Sequence, residues 1–272
     1  MRTSRKRLTL TVVAVLAGSS FAVVPNGPFG TTPSIAQVVA DDPASMFTAA
    51  FNAYSQGEKE EALRLYRIAA DLGHIGALWK LGRMYASGDG VDENPYEAYS
   101  IYQSMAQRHG DIPPNDRDAV FVASAFVTLA EYLRAGIEGQ FRADDVAARN
   151  VYFYAASYFG DREAQYQLGR MLLNGEGGDA DSLQAARWLK LASDKGHVAA
   201  SAVLGEMLFD GNGVRARPTL GLSMLTRARH FARGDEREWI MEKQERAFAA
   251  ATEEVRRAAT EIASGEINSI GG

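Results

Sequence analysis

The chain has 272 residues, 46% hydrophobic and 23% charged, with 44 Ala, 26 Gly, no Cys and a formal net charge of −5. The missing cysteines exclude disulfides, thiolate metal sites and cysteine nucleophiles, and the negative balance argues against a general nucleic-acid binder. Glycine without a triplet period is not collagen, and Leu, Ile and Val are too frequent for disorder, which leaves an Ala-rich, helical protein.

Residues 1–36 read as an export signal and a flexible segment. Arg2, Arg5, Lys6 and Arg7 form a basic head before the apolar run Leu8 to Ala17. Small residues follow, so cleavage falls after Ala22 (Ser20-Phe21-Ala22) or after Ala36 (Ser34-Ile35-Ala36). The apolar run is short of the roughly 20 residues a spanning helix needs. Its removal takes four of the 29 basic residues and none of the 34 acids, leaving 25 against 34, or −9. No later stretch reaches about 18 apolar residues, so stable membrane insertion after processing is not expected, and the mature chain is expected to be exported.

From residue 44 the signal is a repeat. Three copies overlay at Ala77, Leu81-Gly82, Met84, Gly88, Gly90, Asn94 and Ala98; at Ala164, Leu168-Gly169, Met171, Gly175, Gly177, Asp181 and Ala185; and at Ala200, Leu204-Gly205, Met207, Gly211, Gly213, Arg217 and Gly221. Counted from the first Ala, offsets +4, +5, +8, +11, +13, +17 and +21 hold in all three, with Tyr85, Leu172 and Leu208 at +8 directly after the Met. A step of 36 residues from Ala164 to Ala200 marks an all-α, α-α solenoid over 44–234. Positions 0, +4 and +8 share one helix stripe. Glycine at +5 costs about 1 kcal/mol of helix propensity against Ala, so it implies close approach of a neighbouring helix. The Gly-x-Gly at +11 and +13 ends that helix, and a second one is expected to begin near +18 with bulky residues at +24 and +25. A degenerate unit occupies about 119–160, with Leu129, Leu133 and Gly136 near repeat spacing and Pro113-Pro114 disturbing the register. Residues 235–263 read as one amphipathic helix capping the array, and 264–272 as a disordered tail.

The string Ala-x-x-x-Leu-Gly-x-Met-Tyr-x-x-Gly-x-Gly-Val resembles the Sel-one-like repeat, a relative of the tetratricopeptide repeat. The layout further resembles the ExoR-type negative regulators of exopolysaccharide production. Residues 79–85 (Trp-Lys-Leu-Gly-Arg-Met-Tyr), 155–161 (Ala-Ala-Ser-Tyr-Phe-Gly-Asp) and 186–192 (Ala-Arg-Trp-Leu-Lys-Leu-Ala) carry that likeness, with Gly196-His197. The resemblance implies a periplasmic protein that binds the periplasmic domain of a membrane sensor histidine kinase. By inhibiting that two-component system it would repress succinoglycan-type polysaccharide and affect motility, with a periplasmic protease as a further partner. An envelope enzyme or a cell-wall or polysaccharide-associated scaffold is the alternative.

No zinc-helix, nucleophile-elbow or phosphate-loop motif stands in the chain, so neither catalytic residues nor a cofactor or metal is expected. The acidic string Gly88 to Asn94 lacks calcium-loop spacing. Protein binding is the expected role, with offsets +2, +3 and +6 on the concave face. These are Trp79, Lys80 and Arg83, then Tyr166, Gln167 and Arg170, then Ala202, Val203 and Glu206. Trp79 and Tyr166 fit packing between helices equally well. His74 and His197 occupy the same place after the inter-unit Gly. They read as helix-capping or turn residues, with a response to acid as the functional alternative, because a helix N-terminus disfavours imidazolium.

Overall fold

The computed structural model describes residues 42–271, so the expected export signal and both candidate cleavage sites lie outside the described residues. Among the described residues, twelve α-helices follow one another: α1 (Pro43–Ser55), α2 (Lys59–Asp71), α3 (Ile75–Ser87), α4 (Pro95–His109), α5 (Ala119–Ala135), α6 (Asp145–Tyr154), α7 (Arg162–Asn174), α8 (Ser182–Asp194), α9 (Val198–Asp210), α10 (Pro218–Phe231), α11 (Glu236–Ala250) and α12 (Glu253–Gly271). A π-helical turn, Ala155–Phe159, extends α6. Successive helices pack on one another from α1 to α11, and α12 packs back on α10, which makes a solenoid of helix pairs closed by the last two helices. None of the described helices is long and apolar enough to cross a membrane.

The repeat offsets explain this geometry. Second helices start at Pro95, Ser182 and Pro218, each 18 residues after the repeat's first Ala. At +17, Asn94 Oδ1 accepts from the Glu97 amide at 3.0 Å and Asp181 Oδ1 from the Gln184 amide at 2.9 Å, capping those helices. The glycine at +5 meets the bulky residue at +25. A Cβ on Gly82 would lie 2.6 Å from the Tyr102 ring, and one on Gly169 2.8 Å from Leu189. The glycine at +13 serves the joint between units. Gly90 has φ +80°, and a Cβ there would strike Lys59 at the start of α2; Gly177, at φ +70°, sits against the Asp145 backbone at the start of α6.

The core is a string of apolar clusters rather than one centre. Its largest fully buried side chains include Tyr66, Tyr102, Tyr152, Met84 and Met105. In the irregular third pair, Tyr154 and Tyr158 donate their hydroxyls to the carbonyls of Gly110 (2.8 Å) and Asp111 (3.0 Å), anchoring the connection that carries Pro113-Pro114.

The C-terminal region departs from the single helix expected over 235–263. Ala251 is extended (φ −74°, ψ 150°), and Thr252 Oγ1 accepts from the Val255 amide at 3.3 Å, so a new helix starts there with Glu253 and Glu254 in its first turn. The sequence pattern sets Ile240, Phe248, Ala251, Val255, Ala258 and Ile262 on one stripe, and the break keeps only part of it. Ile240, Ala247, Ala251, Ala259 and Ala263 are buried, whereas Phe248 and Ile262 are exposed. Helix continues through Gly271, where a disordered tail was expected from residue 264.

Candidate protein-binding face

The first helices of successive pairs present the +2, +3 and +6 positions. Trp79 donates Nε1–H to Ser124 Oγ of α5 at 3.0 Å and packs on Phe121, with ring centroids 5.4 Å apart. Tyr166 is 9% exposed and stacks on His197 at 4.4 Å. Both aromatics therefore join one unit to the next, and Tyr166 does not stand open in a groove. The arginine one turn on covers each ring: Arg83 lies 5.1 Å from the Trp79 centroid and Arg170 5.8 Å from that of Tyr166. Arg83 is exposed and Arg170 half-buried, and neither makes an ion pair among the described residues. Lys80 places Nζ 3.5 Å from the Tyr54 ring centroid of α1.

The third set is closed by the chain itself. Glu206 accepts from Lys243 at 2.6 Å and from Arg246, both on α11, and Arg246 also reaches Asp210 at 3.3 Å. Ala202 is buried beneath the C-terminal pair and Val203 is half-buried. Glu206 is thus a docking point for α11 and not a free groove residue.

The sequence places an irregular unit at about 119–160, but no face residue was read from it. Leu129, Leu133 and Gly136 take offsets +4, +8 and +11 from Ala125, which puts Glu131 at +6. The +6 row then reads Arg83, Glu131, Arg170, Glu206, alternating in sign. Gln167 donates Nε2–H to Glu163 at 2.8 Å, while its Oε1 is buried without a partner. Laying the degenerate unit on the regular ones would have shown the alternation.

The two histidines are helix caps. His74 Nδ1 accepts from the Ala77 amide and His197 Nδ1 from the Ala200 amide, both at 3.2 Å; Asp161 does the same for Ala164 at 2.8 Å. His74 stacks on Phe47 at 4.3 Å. His197 turns Nε2 to Glu163 at 2.9 Å. Burial works against the Glu163 charge, but hydrogen bonds from His197 and Gln167 outweigh it and hold that carboxyl below its ordinary range.

Burial holds His74 below its usual pKa against the pull of Asp118 and Asp42, with Arg117 adding to the lowering. Its imidazole therefore charges more readily in the unfolded chain. The stability it contributes is complete above about pH 6.5 and falls as the pH drops toward the lowered folded value. Protonation at Nδ1 also removes the cap. Replacement by Asn, which keeps a capping acceptor, should flatten the acid limb of a denaturation-against-pH curve, whereas His74→Ala should cost about 1 kcal/mol at neutral pH. An acid limb unchanged in His74→Asn would contradict this.

The fold and its glycine-spaced helix pairs define a Sel1-type repeat protein. The Sel1 repeat family matches residues 52–74, 75–110, 162–197 and 198–229, leaving out the irregular unit. Two solved structures share the fold. A protective antigen of uropathogenic Escherichia coli displaying an SLR fold aligns with TM-score 0.69 and 24% identity over 85% of this chain and 47% of its own. A Sel1 repeat protein from Oxalobacter formigenes aligns with TM-score 0.62 and 22% identity, covering 86% and 91%.

Two relatives narrow the class. An exopolysaccharide production negative regulator of Rhizobium meliloti (strain 1021) is 42% identical over 253 residues, 93% of this chain and 89% of that one. One of the same description from Rhizobium leguminosarum bv. viciae is 43% identical over 221 residues, 81% and 80%. The chain belongs to this family of exopolysaccharide production negative regulators.

Proposed function

We propose that the protein is a non-catalytic periplasmic regulator that binds the periplasmic domain of a membrane sensor histidine kinase and holds that kinase in its off state. Repression of exopolysaccharide synthesis, and an effect on motility, follow from the silenced two-component system. Loss of the regulator, by dissociation or by a periplasmic protease, releases signalling. The observation that carries this reading is the 42% identity, over nearly the whole chain, to a negative regulator of exopolysaccharide production. An export signal at the N-terminus and the Arg83 and Arg170 heads on one face of a repeat array support it. Arginine beside an aromatic ring is a frequent interface anchor.

Co-purification from periplasm tests it. Wild-type protein should bring down a sensor-kinase domain, and the Arg83→Ala/Arg170→Ala pair should recover at least about tenfold less, the order expected when interface arginines are truncated. Deleting the gene should raise exopolysaccharide, and deleting the kinase as well should abolish that rise. Wild-type protein that recovers no kinase domain overturns the reading.

A further inference from the structure

The +6 position puts one charge on each first helix: Arg83 on α3, Glu131 on α5, Arg170 on α7 and Glu206 on α9. One turn earlier, at +2, stand Trp79, Val127 and Tyr166; the last two are buried and Trp79 is half-buried. The face is therefore an apolar floor beside a line of charges that alternate in sign. Its helices lie next to one another: Trp79 of α3 reaches Ser124 of α5 at 3.0 Å, and His197 before α9 meets Glu163 of α7 at 2.9 Å.

The chain neutralises only the fourth charge. Glu206 receives Lys243 at 2.6 Å and Arg246, both from α11. Arg83, Glu131 and Arg170 make no ion pair among the described residues, and Arg134, one turn from Glu131, is engaged by Glu176 at 2.5 Å. If the alternation served to hold neighbouring helices together, Glu131 would pair with one of the two arginines; it pairs with neither. The arginines are instead steadied on aromatic rings, Arg83 at 5.1 Å from the Trp79 centroid and Arg170 at 5.8 Å from that of Tyr166. A side chain already held in place loses less freedom when a ligand arrives.

Packed helices stand about 8–10 Å apart, and an α-helix rises about 1.5 Å per residue. Successive charges on this face therefore match positions about seven residues apart on a helix laid across α3, α5 and α7, and such positions share one stripe. We propose that this face receives an amphipathic helix of the protein partner that presents an acid, a base and an acid at seven-residue intervals to Arg83, Glu131 and Arg170. The chain shows the same match at the end of the row, where the helix beside Glu206 brings it two bases. That the occupant is a protein rests on the function proposed above; the order of its charges rests on the row alone. Acid, base, acid reads alike in both directions, so the match holds for either polarity of the helix.

Two helical peptides of about 22 residues, built of alanine, glutamine and leucine, are the probes, titrated into the protein by calorimetry. One carries glutamate, arginine and glutamate at seven-residue intervals, with leucines between them on the same stripe. Its twin carries arginine, glutamate and arginine. The protein has a net charge of −5, so unspecific attraction favours the more cationic twin. The first peptide should nonetheless bind saturably with a Kd below about 1 mM, and at least about tenfold tighter than the twin. Reversing the row in Arg83→Glu/Glu131→Arg/Arg170→Glu should invert that order. Glu131→Gln alone, at an exposed position, should keep the native spectrum and weaken the first peptide about threefold, so the test survives a triple variant that does not fold. Equal affinities, tighter binding of the twin, undiminished binding to Glu131→Gln, an order unchanged in a folded triple variant, or no saturable binding up to about 1 mM overturns the proposal. Such a failure leaves the kinase co-purification result untouched, because capture there does not depend on which surface is used. Failure of the co-purification leaves the order of the two peptides interpretable.

Discussion

Gly82→Ala is expected to destabilise the protein by about 1–2 kcal/mol, although alanine is the better helix former by about 1 kcal/mol. The added methyl would lie 2.6 and 2.8 Å from two carbons of the Tyr102 ring. Tyr102 is only 2% exposed and is packed with Met105, Ala98 and Leu129, so its ring cannot swing clear without opening the pair. Gly169→Ala should behave alike against Leu189, which is fully buried. Gly265 supplies the contrast. It lies within α12 with nothing inside 4 Å of its added Cβ, so Gly265→Ala should gain a few tenths to about 1 kcal/mol. Urea denaturation of the three variants checks this. A stabilised Gly82→Ala protein would mean that the glycine is not there to admit the facing helix.

That glycine illustrates what the amino-acid order discloses. A helix-weakening residue that recurs at one offset, with bulky residues returning at +24 and +25, implies close contact, and the pairing of +5 with +25 follows. The contact made by the +13 glycine was hidden, because it faces the start of the preceding second helix, a residue some 30 positions away in Gly90 and Lys59. Trp79 and Tyr166 were ambiguous for a different reason. An aromatic side chain suits an interface between units as well as one between proteins, and only the placement of Ser124, Phe121 and His197 decides. Glu131 escaped notice as a face residue because its unit keeps only the +11 glycine, with Ala130 at +5 and Glu138 at +13, and has a connection two residues longer before α6 than in the regular units. Thr252-Glu253-Glu254 did carry a helix-start signature. A continuous run of Ala, Arg and Glu on either side masked it.

Ending the chain after Gly234 should have the largest effect of all. Without α11 and α12, the last repeat would expose Leu222 and Leu225, both fully buried in the intact protein, together with Ala228. The missing pair also contributes Ile240, Ala247, Ala251, Ala259 and the partly buried Trp239 and Val255. At about 1.5–3 kcal/mol for a buried large side chain and about 0.8 for each methyl, the loss is on the order of 5 kcal/mol, comparable with the stability of a whole small domain. The truncated chain should be recovered mainly as aggregate, with a lower and broader thermal transition in whatever stays soluble. Polar bonds cannot substitute for that apolar contact. The Lys243 and Arg246 pairs with Glu206 keep part of their side chains in solvent, and Arg227 meets a Glu266 that is 42% exposed at 2.7 Å. A Lys243→Ala/Arg246→Ala variant should therefore lose no more than about 1–2 kcal/mol. Ile240→Asp, which buries an unpaired carboxylate at a fully enclosed position, should approach the truncation in severity. If the double alanine variant proved as damaging as Ile240→Asp, the cap would be held by charge and not by its apolar stripe.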